Sequence, residues 1–274
     1  MLRAAIFAGL LGGCAFNPPA VPSDALIDSP VIDAVDAPID ADPNRSRNGL
    51  VGFWTFEELA APILDTSGFP ASGPLPINLT PTGPGVTLNG GSVTTAMISK
   101  LESAAGSRLN ADLVIGGGVT LEVWVLPEIA DQGTMGSPVL IAGLSSSINA
   151  RNISILQAGT QWVGRVRTQG VLPLSEQNNG KPDISSTNPV VGVMTHIVLV
   201  ADLDERKLYV NGDVVTDPLP GALASWDFGY RMLVGNEFSQ ARPWNGTFQL
   251  VALYNRALSK AEVDKHFLLG PTAP

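Results

Sequence analysis

Residues 195–215 read THIVLVADLDERKLYVNGDVV, and the dipeptide Asn211-Gly212 near the end of this stretch is its main structural signal. Runs of β-type residues lie on both sides of the dipeptide. A two-residue Asn-Gly between such runs is the strongest short-range signal for a β-hairpin, because both residues accept the positive φ of a type I′ turn. The sequence therefore predicts two antiparallel strands joined at Asn211 and Gly212.

Similar short runs recur along the chain, each bounded by Gly, Pro, Asn or Asp. No amphipathic helix separates them, which favours an all-β fold, an antiparallel β-sandwich or jelly roll, over an α/β fold. The runs outside the hairpin are LVGFWTF (50–56), VTLEVWVL (119–126), PVLIAGL (138–144), NISILQA (152–158), TQWVGRVRT (160–168), YRMLVGN (230–236) and FQLVALYN (248–255).

Two short helices are expected beside the strands. The first is C-terminal: Ser259 and Glu262 have the spacing of a capping box, in which each side chain bonds the other residue's backbone N–H, and apolar residues follow. The second is predicted over residues 98–105, where it ends at Gly106.

The charge balance limits the partners of the chain. Its 274 residues carry 25 acidic and 16 Lys or Arg side chains, a formal charge of -9, and 45% of them are hydrophobic, which is enough to fill a core. Nucleic acids and anionic lipid headgroups attract clustered Lys and Arg. We therefore expect no nucleic-acid partner.

The N-terminus reads as a secretory signal. Arg3 precedes an apolar run over residues 4–11, which is much shorter than the roughly 20 residues of a membrane span. The run ends in Leu-Gly-Gly-Cys14, which resembles a bacterial lipobox, and Cys14 is the only cysteine. The resemblance implies cleavage before Cys14, a lipid anchor on its thiol and transport to the outer membrane or cell surface. The alternative is an ordinary signal peptide with an incidental cysteine.

A proline-rich acidic segment follows. Residues 15–43 contain six aspartates and neither Lys nor Arg, and Pro30 and Pro38 interrupt any helix. Such self-repelling chains stay extended and behave as linkers. We therefore divide the chain into a lipoprotein signal peptide (1–13), a lipidated cysteine with a disordered Asp/Pro-rich linker (14–47) and one folded domain (48–270).

Five segments of the domain together resemble the laminin G-like, concanavalin A-like lectin/glucanase jelly rolls of secreted bacterial proteins. The resemblance spans nearly all of residues 48–270 and implies a jelly roll, a fold that carries hydrolases, lectins and interaction modules alike. The segments are GLVGFWTF (49–56), DTSG (65–68), TLEVWV (120–125), THIV (195–198) with LYVNG (208–212), and WNG (244–246) with LYNRALS (253–259).

The catalytic residues of the glucanases in this superfamily have no counterpart here. Those enzymes carry a Glu-x-Asp-x-x-Glu strand, because a retaining mechanism needs two carboxylates about 5 Å apart. The nearest match, Glu262-Val263-Asp264, lies on the predicted C-terminal helix and has Phe267 in the last place. His196 lies on a predicted strand, where packing or hydrogen bonding is favoured over catalysis. We therefore expect a binding protein and not an enzyme.

The resemblance also makes Asp65 a candidate ligand of a structural Ca²⁺. Relatives bind the ion through the Asp of an Asp-x-Ser-Gly turn and two acidic residues of a Gly-x-x-Asp-Glu-Val stretch. Here Gln249 and Leu250 occupy the two acidic places, although Ca²⁺ takes six to eight oxygen ligands. The favoured alternative is that Asp65 caps its own turn through an Asx hydrogen bond. No other cofactor is expected.

Polar and aromatic residues on and after two predicted strands are candidates for ligand recognition. Two arginines on one face of a strand are costly to bury unpaired, so they contact water, carboxylates or a ligand. Aromatic faces and planar hydrogen-bonding groups together suit a sugar. The favoured alternative is a structural salt-bridge network with Trp244 in the core. The candidate ligand-binding residues are Arg165, Arg167, Glu237, Arg242 and Trp244.

These observations predict a lipid-anchored surface protein whose domain binds extracellular or cell-wall carbohydrate without catalysis. The alternative is a protein–protein interaction or structural surface module without a small ligand, since only 6% of the residues are aromatic. The partners are accordingly a membrane lipid anchor together with a glycan or a surface protein.

Mass spectrometry of the protein isolated from bacterial membranes tests the N-terminal prediction. We expect the mature chain to begin at Cys14 and to carry diacylglycerol on the sulfur atom. A Cys14→Ser variant is the control and leaves the membrane fraction. A mature N-terminus with an unmodified thiol contradicts the lipid anchor.

Overall fold

The computed structural model describes residues 44–69, 76–105, 108–169, 174–189, 192–217 and 219–272. The chain divides into the units Met1–Ala41 and Asp42–Pro274, and every described residue belongs to the second. The predicted signal peptide, Cys14 and the linker as far as residue 43 lie outside the described residues.

Strands make up most of the described structure. In chain order the elements are β1 (Leu50–Trp54), β2 (Thr80–Thr82), β3 (Val86–Leu88), β4 (Val93–Thr95), β5 (Lys100–Glu102), α1 (Leu109–Val114), β6 (Val119–Pro127), β7 (Val139–Ser147), β8 (Ala150–Ala158), β9 (Gln161–Val166), α2 (Leu174–Asn178), β10 (Ile184–Pro189), β11 (Thr195–Ala201), β12 (Arg206–Val210), β13 (Asp213–Asp217), β14 (Arg231–Val234), β15 (Gly246–Tyr254) and α3 (Lys260–Leu269).

The strands form two antiparallel sheets that pack as a sandwich. The eight-stranded sheet has the order β13-β12-β11-β6-β15-β4-β3, and β1 also pairs with β15. The seven-stranded sheet has the order β10-β9-β8-β7-β14-β5-β2. One large apolar core lies between the sheets and takes side chains from both. The predicted all-β sandwich is confirmed.

The central strand β6 shows how the sequence produces this packing. Leu121 and Val123 point into the core between the sheets, whereas Trp124 points to the outer face of the eight-stranded sheet. Helix α3 covers that outer face, where Val263 packs in the same apolar cluster as Trp124. Because both faces of β6 are buried, its sequence is nearly continuously apolar.

The two sharpest local predictions are confirmed. Asn211 and Gly212 join β12 to β13 with φ angles of 51° and 89°, as a type I′ turn requires. Helix α3 begins after Ser259, whose hydroxyl accepts a hydrogen bond from the backbone N–H of Glu262 (3.3 Å). The Glu262 carboxylate in turn accepts one from the N–H of Ser259 (2.9 Å), which completes the capping box.

The helix predicted over residues 98–105 is wrong. Lys100–Glu102 forms β5, and a six-residue helix begins only at Leu109. Leu101 is fully buried between the sheets, whereas Lys100 and Glu102 lie on the outer face, 3.4 Å apart. Strands β2 and β14 supply backbone partners on both sides of β5, and this tertiary pairing overrides the local helical preference.

A wholly buried carboxylate lies beneath α3 on the outer face of the eight-stranded sheet. Glu122 of β6 accepts hydrogen bonds from the guanidinium of Arg45, from His196 Nε2 (2.8 Å), from His266 Nδ1 (3.0 Å) and from the Tyr254 hydroxyl (3.4 Å). These donors come from the segment before β1, from β11, from α3 and from β15. Glu122 therefore ties four separate parts of the chain to one point.

The segment before β1 is bonded to the C-terminal helix at the same place. Arg45 also donates to the carbonyl of Gly270 (2.6 Å), and the backbone N–H of Ser46 donates to His266 Nε2 (3.1 Å). Because Nε2 accepts this bond, Nδ1 of His266 carries the hydrogen that Glu122 accepts. We call Arg45, Ser46, Glu122, His196, Tyr254 and His266 the terminal joint.

The terminal joint has a defined charge state. Burial by itself raises the pKa of Glu122, but the charge of Arg45 and the hydrogen bonds from the two histidines outweigh burial and hold this pKa well below its usual value. Burial lowers the pKa of His196 even though Glu122 opposes the shift. The joint therefore contains an ionised Glu122, a charged Arg45 and a neutral His196 at neutral pH.

Replacing Glu122 leaves Arg45 as a buried charge without a counter-charge. We expect Glu122→Gln to lower the free energy of unfolding at pH 7 by about 3–5 kcal/mol. Asp264→Asn breaks the exposed Lys260–Asp264 pair on α3 and is the matched control, with an expected loss of at most about 1 kcal/mol. Urea denaturation measures both, and equal losses contradict the central role of Glu122.

The same comparison made at several pH values tests the charge state. The folded-state pKa of Glu122 is lowered, so its contribution is present above the unfolded value of about 4.3 and is lost as the pH falls through the folded value. The difference in the free energy of unfolding between wild type and Glu122→Gln therefore becomes smaller as the pH falls into the acid range. Wild-type stability also declines below about pH 6.5, because unfolded His196 takes up a proton that the folded state disfavours.

Candidate functional site

Arg165 lies on β9, where its side chain is buried and paired with a carboxylate. Its Nε and Nη2 atoms donate to the two carboxylate oxygens of Asp183, at 2.6 and 2.9 Å, in a bidentate pair. Its Nη1 atom donates to the side-chain oxygen of Asn179 (3.1 Å). All three nitrogen atoms of the Arg165 guanidinium therefore donate to Asp183 or Asn179.

Glu237 belongs to the same network although it is far from Arg165 in sequence. The fully buried Glu237 carboxylate accepts a hydrogen bond from the guanidinium of Arg151, which also donates to Asn179. The hydroxyl of Ser145 lies 3.3 Å from the second carboxylate oxygen of Glu237. Arg151 and Asn179, which sequence reasoning missed, thus connect Arg165 to Glu237.

Arg242 adds positive charge to this network. The backbone N–H of Arg242 donates to the Asn236 side chain (3.1 Å), and its own side chain is half-buried. Burial lowers the pKa of Arg151; Glu237 opposes this shift, whereas the nearby charges of Arg165 and Arg242 add to it. Among the described residues, none forms an ion pair with the Arg242 guanidinium.

The other two sequence candidates make no hydrogen bond to the network among the described residues. Trp244 is fully buried in the core between the sheets, where its indole N–H donates to Gln157 (2.7 Å) and its ring meets Phe248 edge-on. Arg167 follows β9 and is half-buried, and its carbonyl accepts a hydrogen bond from the indole of Trp226 (2.9 Å). The ring face of Trp244 is therefore not available at the surface.

The Asp65 carboxylate is hydrogen-bonded to backbone N–H groups. Its carboxylate accepts hydrogen bonds from the N–H groups of Phe53 (3.1 Å), Ser67 (3.0 Å) and Ile77 (3.1 Å), and Arg108 lies 3.7 Å away. The bond from Ser67 is the Asx hydrogen bond. These donors do not fit a Ca²⁺ site, and the described residues contain no group of three or more His, Cys, Asp or Glu side chains able to hold a metal ion.

A hollow lies beside the network on the outer face of the seven-stranded sheet. It encloses about 220 Å³, less than the roughly 300–1,000 Å³ of sites for drug-sized molecules, and suits one sugar ring. Phe238, which is 44% exposed, forms part of the wall. The lining residues are Ala105, Ser145, Ser146, Gly229, Arg231 and Phe238.

Two cations hold the Phe238 ring. Lys100 Nζ lies 4.5 Å and Arg231 Cζ lies 5.0 Å from the ring centroid, and Lys100 also donates to the Phe238 carbonyl (2.8 Å). Glu102 lies 3.0 Å from Arg231 and 3.4 Å from Lys100. The hollow thus combines an aromatic ring, a planar guanidinium and the exposed Ser146. Ser145 also lines it but is fully buried, and its hydroxyl donates to the Ser147 carbonyl (3.0 Å).

One signal in the sequence could have located Phe238. It is the single aromatic residue in the polar loop Asn236-Glu-Phe-Ser-Gln240, directly beside the candidate Glu237. The contributions of Lys100 and Arg231 could not be found in this way, since they come from β5 and from the start of β14.

Comparison with known families agrees with this architecture. A laminin G family model of the concanavalin A-like lectin/glucanases superfamily matches residues 101–264, which is more than half of the chain. The chain belongs to this superfamily. The lectin-like jelly roll expected from the five sequence segments is therefore confirmed. A search of curated protein sequences finds no match.

Solved structures of the concanavalin A-like type resemble the chain at low identity. The binding domain of botulinum neurotoxin DC in complex with rat synaptotagmin II has a TM-score of 0.61 at 12% identity, over 82% of this chain and 52% of its own. The Trypanosoma rangeli sialidase in complex with sialic acid has a TM-score of 0.56 at 18% identity, over 80% of this chain and 33% of its own. The chain therefore spans about half or a third of these structures, and the likeness concerns the fold.

The described helices of this concanavalin A-like domain are all short, and none of them is long and apolar enough to cross a membrane.

The burial of Trp244 and the exposure of Phe238 predict losses of stability of very different size. Trp244→Ala should lower the free energy of unfolding by about 3–5 kcal/mol, because it opens a cavity in the core. Phe238→Ala should cost about 1 kcal/mol, since it removes only cation–π contacts near the surface. Urea denaturation measures both, and similar losses contradict the assignment of Phe238 to the surface.

Proposed function

We propose that this chain is a non-catalytic, glycan-binding surface lipoprotein whose site is the hollow beside Phe238. The observation that carries the proposal is the hollow itself, where an exposed aromatic ring, a guanidinium and the exposed Ser146 converge on a space of about 220 Å³. Small-ligand sites combine apolar or aromatic walls with a few fixed polar groups, and a sugar ring has an apolar face and hydroxyl edges that suit such walls.

The surroundings of the hollow favour a rigid site. The Ser145 side chain contacts the buried Glu237–Arg151 pair, and Arg231 is held by Glu102 and by the Phe238 ring. A ligand therefore meets groups that are already positioned, which lowers the entropic cost of binding. The candidates Arg165 and Glu237 support the wall from behind in this proposal and do not touch the ligand.

The ligands bound in two structural neighbours add support. The sialidase of Trypanosoma rangeli has been solved in complex with sialic acid, and the botulinum neurotoxin DC binding domain in complex with SialylT, the latter with a TM-score of 0.57 at 12% identity. Those ligands belong to those proteins. They support carbohydrate as the ligand class for this chain, because both proteins, which are similar to it in fold, were solved in complex with them.

The proposal includes a lipid anchor on Cys14 and a position at the outer membrane or cell surface. Its support is the lipobox-like sequence before Cys14 and the acidic linker that follows. The end of the predicted linker includes Arg45, which lies in the terminal joint, whereas the hollow lies on the outer face of the other sheet. Arg45 and the hollow are therefore on opposite faces of the sandwich.

The non-catalytic part of the proposal rests on Glu237 and Glu102, two ion-paired carboxylates beside the hollow. A retaining glycosidase needs two free carboxyl groups about 5 Å apart. Glu237 is buried against Arg151, and Glu102 is shared by Arg231 and Lys100. Reproducible turnover of β-glucans by the purified protein would overturn this part.

A glycan array probed with the full chain in detergent tests the function. We expect binding by the wild type and a loss of at least about tenfold in affinity with Phe238→Ala, because the aromatic wall is removed. Leu268→Ala changes an exposed apolar residue on α3, on the opposite face, and should bind as the wild type does. Unchanged binding by Phe238→Ala shows that the hollow is not the site.

One observation favours a protein partner as the second candidate function. Met97, Ile98, Ile129 and Met135 are exposed apolar side chains on two neighbouring loops, and both loops contact Asn245. Exposed apolar side chains on adjacent loops are typical of protein contact surfaces. This candidate predicts an empty glycan array together with a co-purifying protein that is lost when Met97 and Ile129 are changed to serine.

A further inference from the structure

The charges around the hollow are unusual for this domain. Residues 44–274 contain 19 acidic and 15 basic side chains, so the domain as a whole is negatively charged. Beside Phe238, on the outer face of the seven-stranded sheet, the two cations Lys100 and Arg231 share the single carboxylate of Glu102.

The pairs in the network behind the hollow neutralise each other. Arg165 is balanced by Asp183, and Arg151 is balanced by Glu237. Asn179 connects the two pairs without adding charge. These four charged groups fix the wall and leave no net charge for a ligand.

The cations beside Phe238 are not balanced in the same way. Lys100 and Arg231 share one carboxylate, Glu102, so one positive charge remains. The exposed carboxylate of Asp227, next to the lining residue Gly229, accepts a hydrogen bond from the Gly229 N–H (2.8 Å). Arg242 adds a further guanidinium that no described residue pairs and that is close enough to Arg151 to lower the pKa of Arg151, whose burial is the main cause of that shift.

Arg231 is the cation that a ligand can reach. It lines the hollow, its side chain is about one-third exposed, and Glu102 contacts it at Nη1. A guanidinium presents five N–H donors in a planar fork that matches the oxygens of a carboxylate or a similar oxyanion. The Phe238 ring holds the guanidinium in place, so its unused donors are directed without much loss of side-chain entropy.

We infer that the hollow recognises an acidic sugar residue, whose carboxylate or sulfate group pairs with Arg231 while the sugar ring lies against Phe238. This inference rests on the proposed function and names its ligand class. The ligand supplies the counter-charge that Glu102 alone does not provide for Lys100 and Arg231. The exposed Ser146 then faces the sugar hydroxyl groups.

Isothermal titration calorimetry with matched sugars tests the inference. The probes are lactose, 3′-sialyllactose and lactose 3′-sulfate, titrated into the full chain in detergent. We expect at least one charged probe to bind about tenfold or more tightly than lactose, as a charge-assisted hydrogen bond gives. Raising NaCl from about 0.05 to 0.5 M should weaken the charged probe several-fold and leave lactose unchanged.

Substitutions of Arg231 test whether this cation binds the acidic group of the charged probe. Arg231→Gln should bind the charged probe no better than lactose, and Arg231→Lys should keep part of the preference because it retains the charge but loses the planar fork. Arg47→Gln replaces an exposed arginine beside Phe53, away from the hollow, and is the matched control. Circular dichroism confirms that each variant folds.

The outcomes separate this inference from the proposed function. Equal affinity for lactose and both charged probes overturns the acidic-sugar inference and leaves a neutral glycan site. A charged-sugar preference that survives Arg231→Gln also overturns it, because another cation then makes the contact. Absence of binding to these probes and to the whole glycan array overturns the proposed function and the inference together.

Discussion

The buried carboxylate of Glu122 is the interaction on which the two ends of the domain depend. Four donors from four parts of the chain meet on it, and one of them, Arg45, brings a positive charge that balances it. Removing a single partner leaves a buried charge or an unsatisfied donor, which costs more than the bond itself contributes. The segment before β1 and helix α3 are therefore held in place by the same group.

The strands and the C-terminal helix could be predicted because their signals are local. Period-two and apolar patterns, the Asn211-Gly212 turn and the Ser259–Glu262 box each lie within a few residues of one another. The segment at Lys100 is the exception, since β5 exists only because two other strands pair with it. The structure of such a short amphipathic stretch depends on the strands that pair with it, and the local sequence does not identify those strands.

The site could be predicted only in part, because its partners are distant in sequence. Arg165 and Glu237 were recognised as members of one polar group, but Arg151 contacts Glu237 across 86 positions of the chain. Burial was also beyond local reading: Trp244 and Phe238 lie six positions apart, yet one packs between the sheets and the other remains half exposed. A sequence gives the chemistry of a side chain, whereas the fold decides which face it meets.

The placement of the terminal joint and the hollow on opposite faces of the sandwich has a mechanical consequence. If the chain is anchored ahead of Arg45 and holds a ligand beside Phe238, as proposed, tension acts across the roughly 10 Å between the two sheets. The load then passes through the apolar core and through the terminal joint, where the Arg45–Glu122 pair holds the segment before β1 on the sheet.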